Sequence, residues 1–208
     1  MNKWEFQGMA NKLAFLTAEE YSSRREILER IIPALEKTKA IWGLSCSANL
    51  FFSGLVDDFN DFDILIRLED IEIVKKTIAE CGIQLLDTVQ KRCFSSPYYQ
   101  EASIGDVHFD LVGDITINTF RCSYKYEVRE EDIIYTPLEG GINIPQIPVE
   151  ASLILYGMME GWQAKRKFKR EACREFLQEN GVKFPHILED AVDQGLPDWL
   201  QEIVAALL

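Results

Sequence analysis

Asp61 and Asp63 stand one residue apart in "NDFDILI", residues 60 to 66, at the head of an apolar run. If that run is a strand, alternate residues share a face, and the two acids project the same way with Cα atoms roughly 6 to 7 Å apart. Carboxylates that close oppose each other's ionisation unless a cation or a shared proton intervenes, and hard oxygen ligands suit Mg²⁺. A third acid, Asp110, sits inside "VHFDLVG" between Phe109 and Leu111, with His108 on its own face. Strand interiors disfavour aspartate, so this one needs a reason. Neighbouring strands lie about 4.8 Å apart; a strand beside the first would bring Asp110 into a three-carboxylate cluster able to hold two metal ions. Each acid taken singly has a structural reading, the D-x-D as a strand-start cap and Asp110 as a buried acid satisfied by backbone N–H groups or by His108.

The elements that would position these acids are legible from periodicity and turn residues. Thr17, with Glu20 three residues on and apolar Ile27, Leu28, Ile31, Ile32 and Leu35 at helical spacing, predicts a capped helix that Pro33 could kink. "AIWGLSC" suits a buried strand, "SANLFFSGL" a short helix stopping at Gly54, "DFDILIRL" a second strand, and "EDIEIVKKTIAEC" an amphipathic helix stopping at Gly82. Asp57 and Asp58 belong to the turn before the second strand. From 83 to 120 the pattern is strand-like, with "IQLLDTV", "YYQEASI", a hairpin signal at Gly105 and Asp106, "VHFDLVG" and "ITINTF" forming a mixed sheet. From Pro148 it returns to helix. "PLEGGINIPQIP" has the Pro and Gly density of a connector, which divides the chain into an α/β core, residues 1–140, and a helical segment, residues 141–208. "KRKFKR" sets Lys165 with Lys169, and Arg166 with Arg170, at i,i+4 spacing, so that one basic helix face could meet phosphates in a cleft between sheet and tail.

With 208 residues, 47% of them hydrophobic, the chain can bury a proper core. A formal net charge of −12 disfavours a partner made of a long stretch of nucleic acid. Five cysteines without a C-x-x-C pair, and no long uncharged apolar segment, lead to the expectation of a cytoplasmic protein with no membrane span.

"WGLSCSANLFFSGL", "DFDILI" with Asp61 and Asp63, and "HFDLV" with Asp110 together resemble the nucleotidyltransferase superfamily. It includes DNA polymerase beta, the aminoglycoside and lincosamide nucleotidyltransferases and the minimal nucleotidyltransferases of prokaryotes. The similarity covers residues 40 to about 115 in order and spacing. It implies an α+β fold: a mixed β-sheet core with flanking helices, followed by a C-terminal helical segment. It also implies Mg²⁺-dependent transfer of a nucleoside monophosphate from a nucleoside triphosphate to a hydroxyl of a small molecule or protein. Asp61, Asp63 and Asp110 would be catalytic and would hold two Mg²⁺ ions, while Ser45, Cys46, Ser47, Lys165 and Arg166 would bind the nucleotide. One departure stands out: where relatives carry two small residues including glycine, this chain has Ser45, Cys46 and Ser47, and Gly43 falls two positions early. The alternative is therefore a nucleotidyltransferase-like binding or antitoxin module without catalysis. A homodimer or a toxin-like protein partner is compatible with either.

Overall fold

The computed structural model describes residues 16–88, 94–138, 140–160 and 164–208, with the side chains of 164 and 165 excepted. Helix α1 (Ala18–Glu36) opens on the expected capping box: the Glu20 amide donates to Thr17 Oγ1 at 3.2 Å, and the Thr17 amide to Glu20 Oε2 at 2.8 Å. The helix runs on through Pro33. Then come β1 (Trp42–Ser45), α2 (Cys46–Phe52), β2 (Phe62–Ile66), α3 (Ile71–Glu80), β3 (Gln84–Leu85), β4 (Tyr98–Ile104) and β5 (Val107–Gly113). Beyond them lie β6 (Ile115–Asn118), β7 (Ser123–Tyr126), β8 (Ile134–Leu138), β9 (Ile142–Gln146), α4 (Val149–Met159), α5 (Ala164–Asn180), α6 (Pro185–Asp193) and α7 (Asp198–Ala205). No helix among the described residues is long and apolar enough to cross a membrane.

Among the described residues seven strands form one mixed sheet in the order β3-β4-β5-β2-β1-β9-β8. Alternation along β2 and β5 sorts its two faces. Phe62, Ile64, Ile66, Phe109 and Leu111 point into a core shared with Leu28, Ile31 and Leu35 of α1 and with Val74 and Ile78 of α3. Leu65 and Val112 point the other way, into a core built with Leu50 of α2 and with α4 to α7. Asp63 and Asp110 alternate with the first set and so face the helical tail.

Two expectations need correcting. "ITINTF" does not extend the main sheet: β6 pairs with β7 in a separate two-stranded sheet. The stretch expected as a connector is instead the hairpin β8–β9, whose turn contains Gly140 and Gly141. Pro145 is tolerated in β9 because that strand meets β1 only at its end, through Leu44 and Gln146, with the Ile147 amide donating to the Leu44 carbonyl at 3.0 Å. At that approach Gly43 is needed for its size: a Cβ there would lie 3.0 Å from the Gln146 carbonyl carbon and the Ile147 nitrogen.

Candidate active site

Strand pairing fixes the acids. Parallel β2 and β5 set Asp63 directly opposite Asp110. Antiparallel β1 sets Ser45 opposite Asp63, and antiparallel β4 sets Glu101 opposite Asp110. Ser45, Asp63, Asp110 and Glu101 therefore form one row across four strands, on one face of the sheet. Asp61 lies in the bend just before β2. That bend is pinned from α1, where Arg24 donates to the Asn60 carbonyl at 3.1 Å and its guanidinium lies 5.6 Å from the Phe59 ring centre.

Electrostatics mark Asp63 as the centre of the row. Burial of its carboxylate, although part of the residue still reaches the surface, is the first cause holding its pKa well above the usual range. The charges of Asp61 and Asp110 push it in the same direction, and Lys169 of α5 opposes them. A group of hard oxygen donors under mutual repulsion is the chemistry that a divalent cation relieves. Among the described residues, however, no three His, Cys, Asp or Glu side chains already stand where they could hold a metal ion together. One oxygen of Asp110 is taken by the Tyr99 hydroxyl, at 3.1 Å.

The direct junction of β1 with α2 delivers Cys46 beside Asp63 in a left-handed backbone conformation, φ +51°. Glycine adopts this conformation without a side-chain clash; here a cysteine holds it. Ser45 Oγ lies 3.5 Å from the Cys46 sulfur, and burial together with Asp63 pushes the thiol's pKa well up. Ser45 and Ser47 are buried, so Cys46 is the half-exposed member of the three. A buried amide network holds α2 to the tail. Asn49 Nδ2 donates to the Ile147 carbonyl at 3.0 Å and to Ser152 Oγ at 2.9 Å, and Gln146 Nε2 donates to Asn49 Oδ1 at 2.8 Å.

From the tail, Tyr156 of α4 is buried near Cys46 and Asp63, and the Lys169 ammonium lies 5.5 Å from its ring centre. The other basic residues of α5 divide. Arg166 is half-buried and donates to the Met159 carbonyl at 3.3 Å. Arg170 is buried, bridged to Glu160 at 3.0 Å and set 4.8 Å from the Trp199 ring centre, a structural commitment. The Lys165 side chain lies outside the described residues. His108, expected beside a carboxylate, is exposed. Phe51 and Phe52 pack with Phe59, ring centres 5.0 and 5.7 Å away.

Sequence reasoning missed Tyr99 and Glu101 as neighbours of Asp110. The signal was available: counting outward from the Gly105–Asp106 turn pairs Ile104 with Val107 and then, three steps on, Glu101 with Asp110. A cavity of about 400 Å³ elsewhere, lined by Tyr124, Lys125, Arg129, Asp132 and Asp190 among others, includes none of these residues. Several of its charges are already paired, Arg129 with Asp190 at 3.1 Å and Asp132 with His186 at 2.8 Å.

Solved structures share this arrangement of elements. The antibiotic-resistance factor ANT(2″)-Ia, in complex with adenylyl-2″-tobramycin, matches with a TM-score of 0.58 at 12% identity, over 89% of this chain and 97% of its own. The solution structure of the same factor gives 0.57 at 12% identity, over 89% of this chain and 91% of its own. TM1012 from Thermotoga maritima, a candidate nucleotidyltransferase, matches at 0.55 and 18% identity, over 80% of this chain and 98% of its own. The chain has the nucleotidyltransferase fold. No family model and no curated protein sequence matches it. Within the nucleotidyltransferase fold, Asp63 and Asp110 occupy one face of the central strands, beneath the helical tail, and Asp61 lies in the bend before β2.

Proposed function

We propose that this chain transfers a nucleoside monophosphate from a nucleoside triphosphate to a hydroxyl of a small molecule or protein. The observation that carries this reading is Asp63 opposite Asp110 in adjacent parallel strands, with Asp61 two residues before the first. Asp61 and Asp63 would hold Mg²⁺, and Asp110 would share a second ion. When bound, Mg²⁺ supplies charge neutralisation for the triphosphate and for the departing pyrophosphate. Asp110 accepts the proton of the acceptor hydroxyl as its oxygen attacks the α-phosphorus, and pyrophosphate leaves. Lys169, with Arg166 on the preceding turn of α5, would meet the triphosphate from above the sheet. Because the Ser45 and Ser47 hydroxyls are buried, the junction's approach to the phosphates falls to its backbone and to Cys46.

A second reading, a binding or antitoxin module of the same fold without catalysis, is favoured by Cys46 holding a conformation that suits glycine. Its side chain stands where a backbone could otherwise approach phosphate closely. Incubation with labelled triphosphates, Mg²⁺ and a panel of acceptors decides between them. Pyrophosphate release that drops by about three orders of magnitude or more in Asp63→Asn is the expected result. An Asp63→Asn variant as fast as the wild type removes that residue from the chemistry, and no triphosphate binding at all favours the module.

A further inference from the structure

Tyr99 and Glu101 alternate along β4 onto the face that carries Asp110. The Tyr99 hydroxyl stands 3.1 Å from Asp110 Oδ1 and 3.1 Å from Glu101 Oε1. A phenol has one proton, so it donates to one of the two carboxylates at a time, and a bond to an ionised acceptor is among the stronger ones. Glu101 and Asp110 face each other directly across an antiparallel pair, where like charges destabilise. The Tyr99 hydroxyl stands between the two.

The neighbouring tyrosine separates what the ring does from what the hydroxyl does. Tyr98 points to the opposite face, its ring 5.4 Å from the Lys75 ammonium, and its hydroxyl is buried with no hydrogen-bond partner among the described residues. The strand thus tolerates a tyrosine whose hydroxyl makes no bond, so packing alone does not call for the Tyr99 hydroxyl.

We propose that Tyr99 is a positioning residue for nucleotidyl transfer: it fixes one oxygen of Asp110, and with it the orientation of the carboxylate, and holds Glu101 off the base. This rests on the transferase reading above. Without the hydroxyl, Asp110 swings away from Glu101 and no longer meets the acceptor in one geometry, while triphosphate binding at the Ser45 end of the row is untouched.

The test compares Tyr99→Phe with Tyr98→Phe, each by steady-state kinetics, thermal melting and crystal structure. Tyr99→Phe is expected to lower kcat about 10- to 100-fold, the usual effect of removing a partner that orients a functional ligand. Its KM for the triphosphate should move by less than about two-fold, since the interaction acts on the chemical step. Its crystal structure should show the Asp110 carboxylate turned. Tyr98→Phe is expected to match the wild type in rate. Wild-type kcat in Tyr99→Phe overturns the proposal, as does a rate loss matched by an equal loss of thermal stability. A wild-type protein that releases no pyrophosphate sinks the transfer reading itself. The positioning of Asp110 is then decided by the Tyr99→Phe structure alone: a turned carboxylate supports it and an unchanged rotamer overturns it.

Discussion

Asp63 is costly to the fold in the absence of a cation, and the cost has a pH dependence. An acid whose pKa is higher folded than unfolded carries more proton in the folded state across the interval between the two values. Stability therefore falls as pH rises through that interval. For Asp63 the interval opens at the ordinary carboxylate range and runs up to its raised value, because burial, Asp61 and Asp110 all disfavour the charge. In metal-free buffer, Asp63→Asn should be more stable than the wild type near about pH 8, and urea denaturation should find the gap closing toward about pH 4. A gap that stays constant with pH would show that the charge is not its cause. Cys46 makes a second residue-scale test. A left-handed non-glycine residue costs about 1 to 2 kcal/mol, and glycine's extra chain entropy gives back about 0.5 to 1 kcal/mol of any relief. Cys46→Gly should thus hold its stability within about 1 kcal/mol in the same titration, whereas Cys46→Val, β-branched at φ +51°, should lose about 2 kcal/mol or more.

Element by element, what the sequence made legible was what depends on local pattern. Asp63 and Asp110 could be placed on strands because strand alternation and an aspartate amid apolar neighbours are both local signals, whereas Asp61, expected in the same strand, lies in the bend before it. The α1 capping box and the Gly105–Asp106 hairpin are local too, and the structure has both. The strands that pair at long range carried no such signal. β8 and β9 contain Pro137 and Pro145, which read as a connector until β9 is laid beside β1. Glu101 reads as a solvent-facing residue of an alternating strand until the register of β4 on β5 is known. Asn49 is likewise unremarkable in "SANLFFSGL", yet it ties α2 to β9 and α4. Asn49→Ala would leave the Ile147 carbonyl buried without its donor and remove one acceptor of the Gln146 amide, which keeps the Asn49 backbone carbonyl at 2.8 Å, and is expected to cost about 1 to 3 kcal/mol by denaturant titration. Asn49→Asp, which sets a buried carboxylate oxygen against the Ile147 carbonyl, should cost more than the alanine variant at neutral pH.

At the scale of the whole molecule, the sheet supplies acids and the helical tail supplies the opposing cation. The chain carries a net charge of −12, and under the proposed transfer a triphosphate approaching a row of carboxylates meets repulsion unless positive charge is brought to the same place. Lys169 is the α5 residue that acts on Asp63, and it is held over Tyr156 of α4, a helix buried along its whole length. Arg170, one residue on, is consumed in fastening α5 to Glu160 and Trp199, so the same basic run both anchors the helix and aims a cation. Substituting each in turn separates these two uses. Lys169→Met keeps the aliphatic stem against Tyr156 and removes the charge; the KM for the triphosphate should rise about ten-fold, with the melting temperature nearly unchanged and the dependence of KM on salt weakened. Arg170→Met strands the Glu160 charge and should instead lower the melting temperature, with a loss of about 3 kcal/mol or more. If Lys169→Met leaves KM where it was, the tail covers the site without serving it, and the triphosphate's counter-charge must come from metal ions alone.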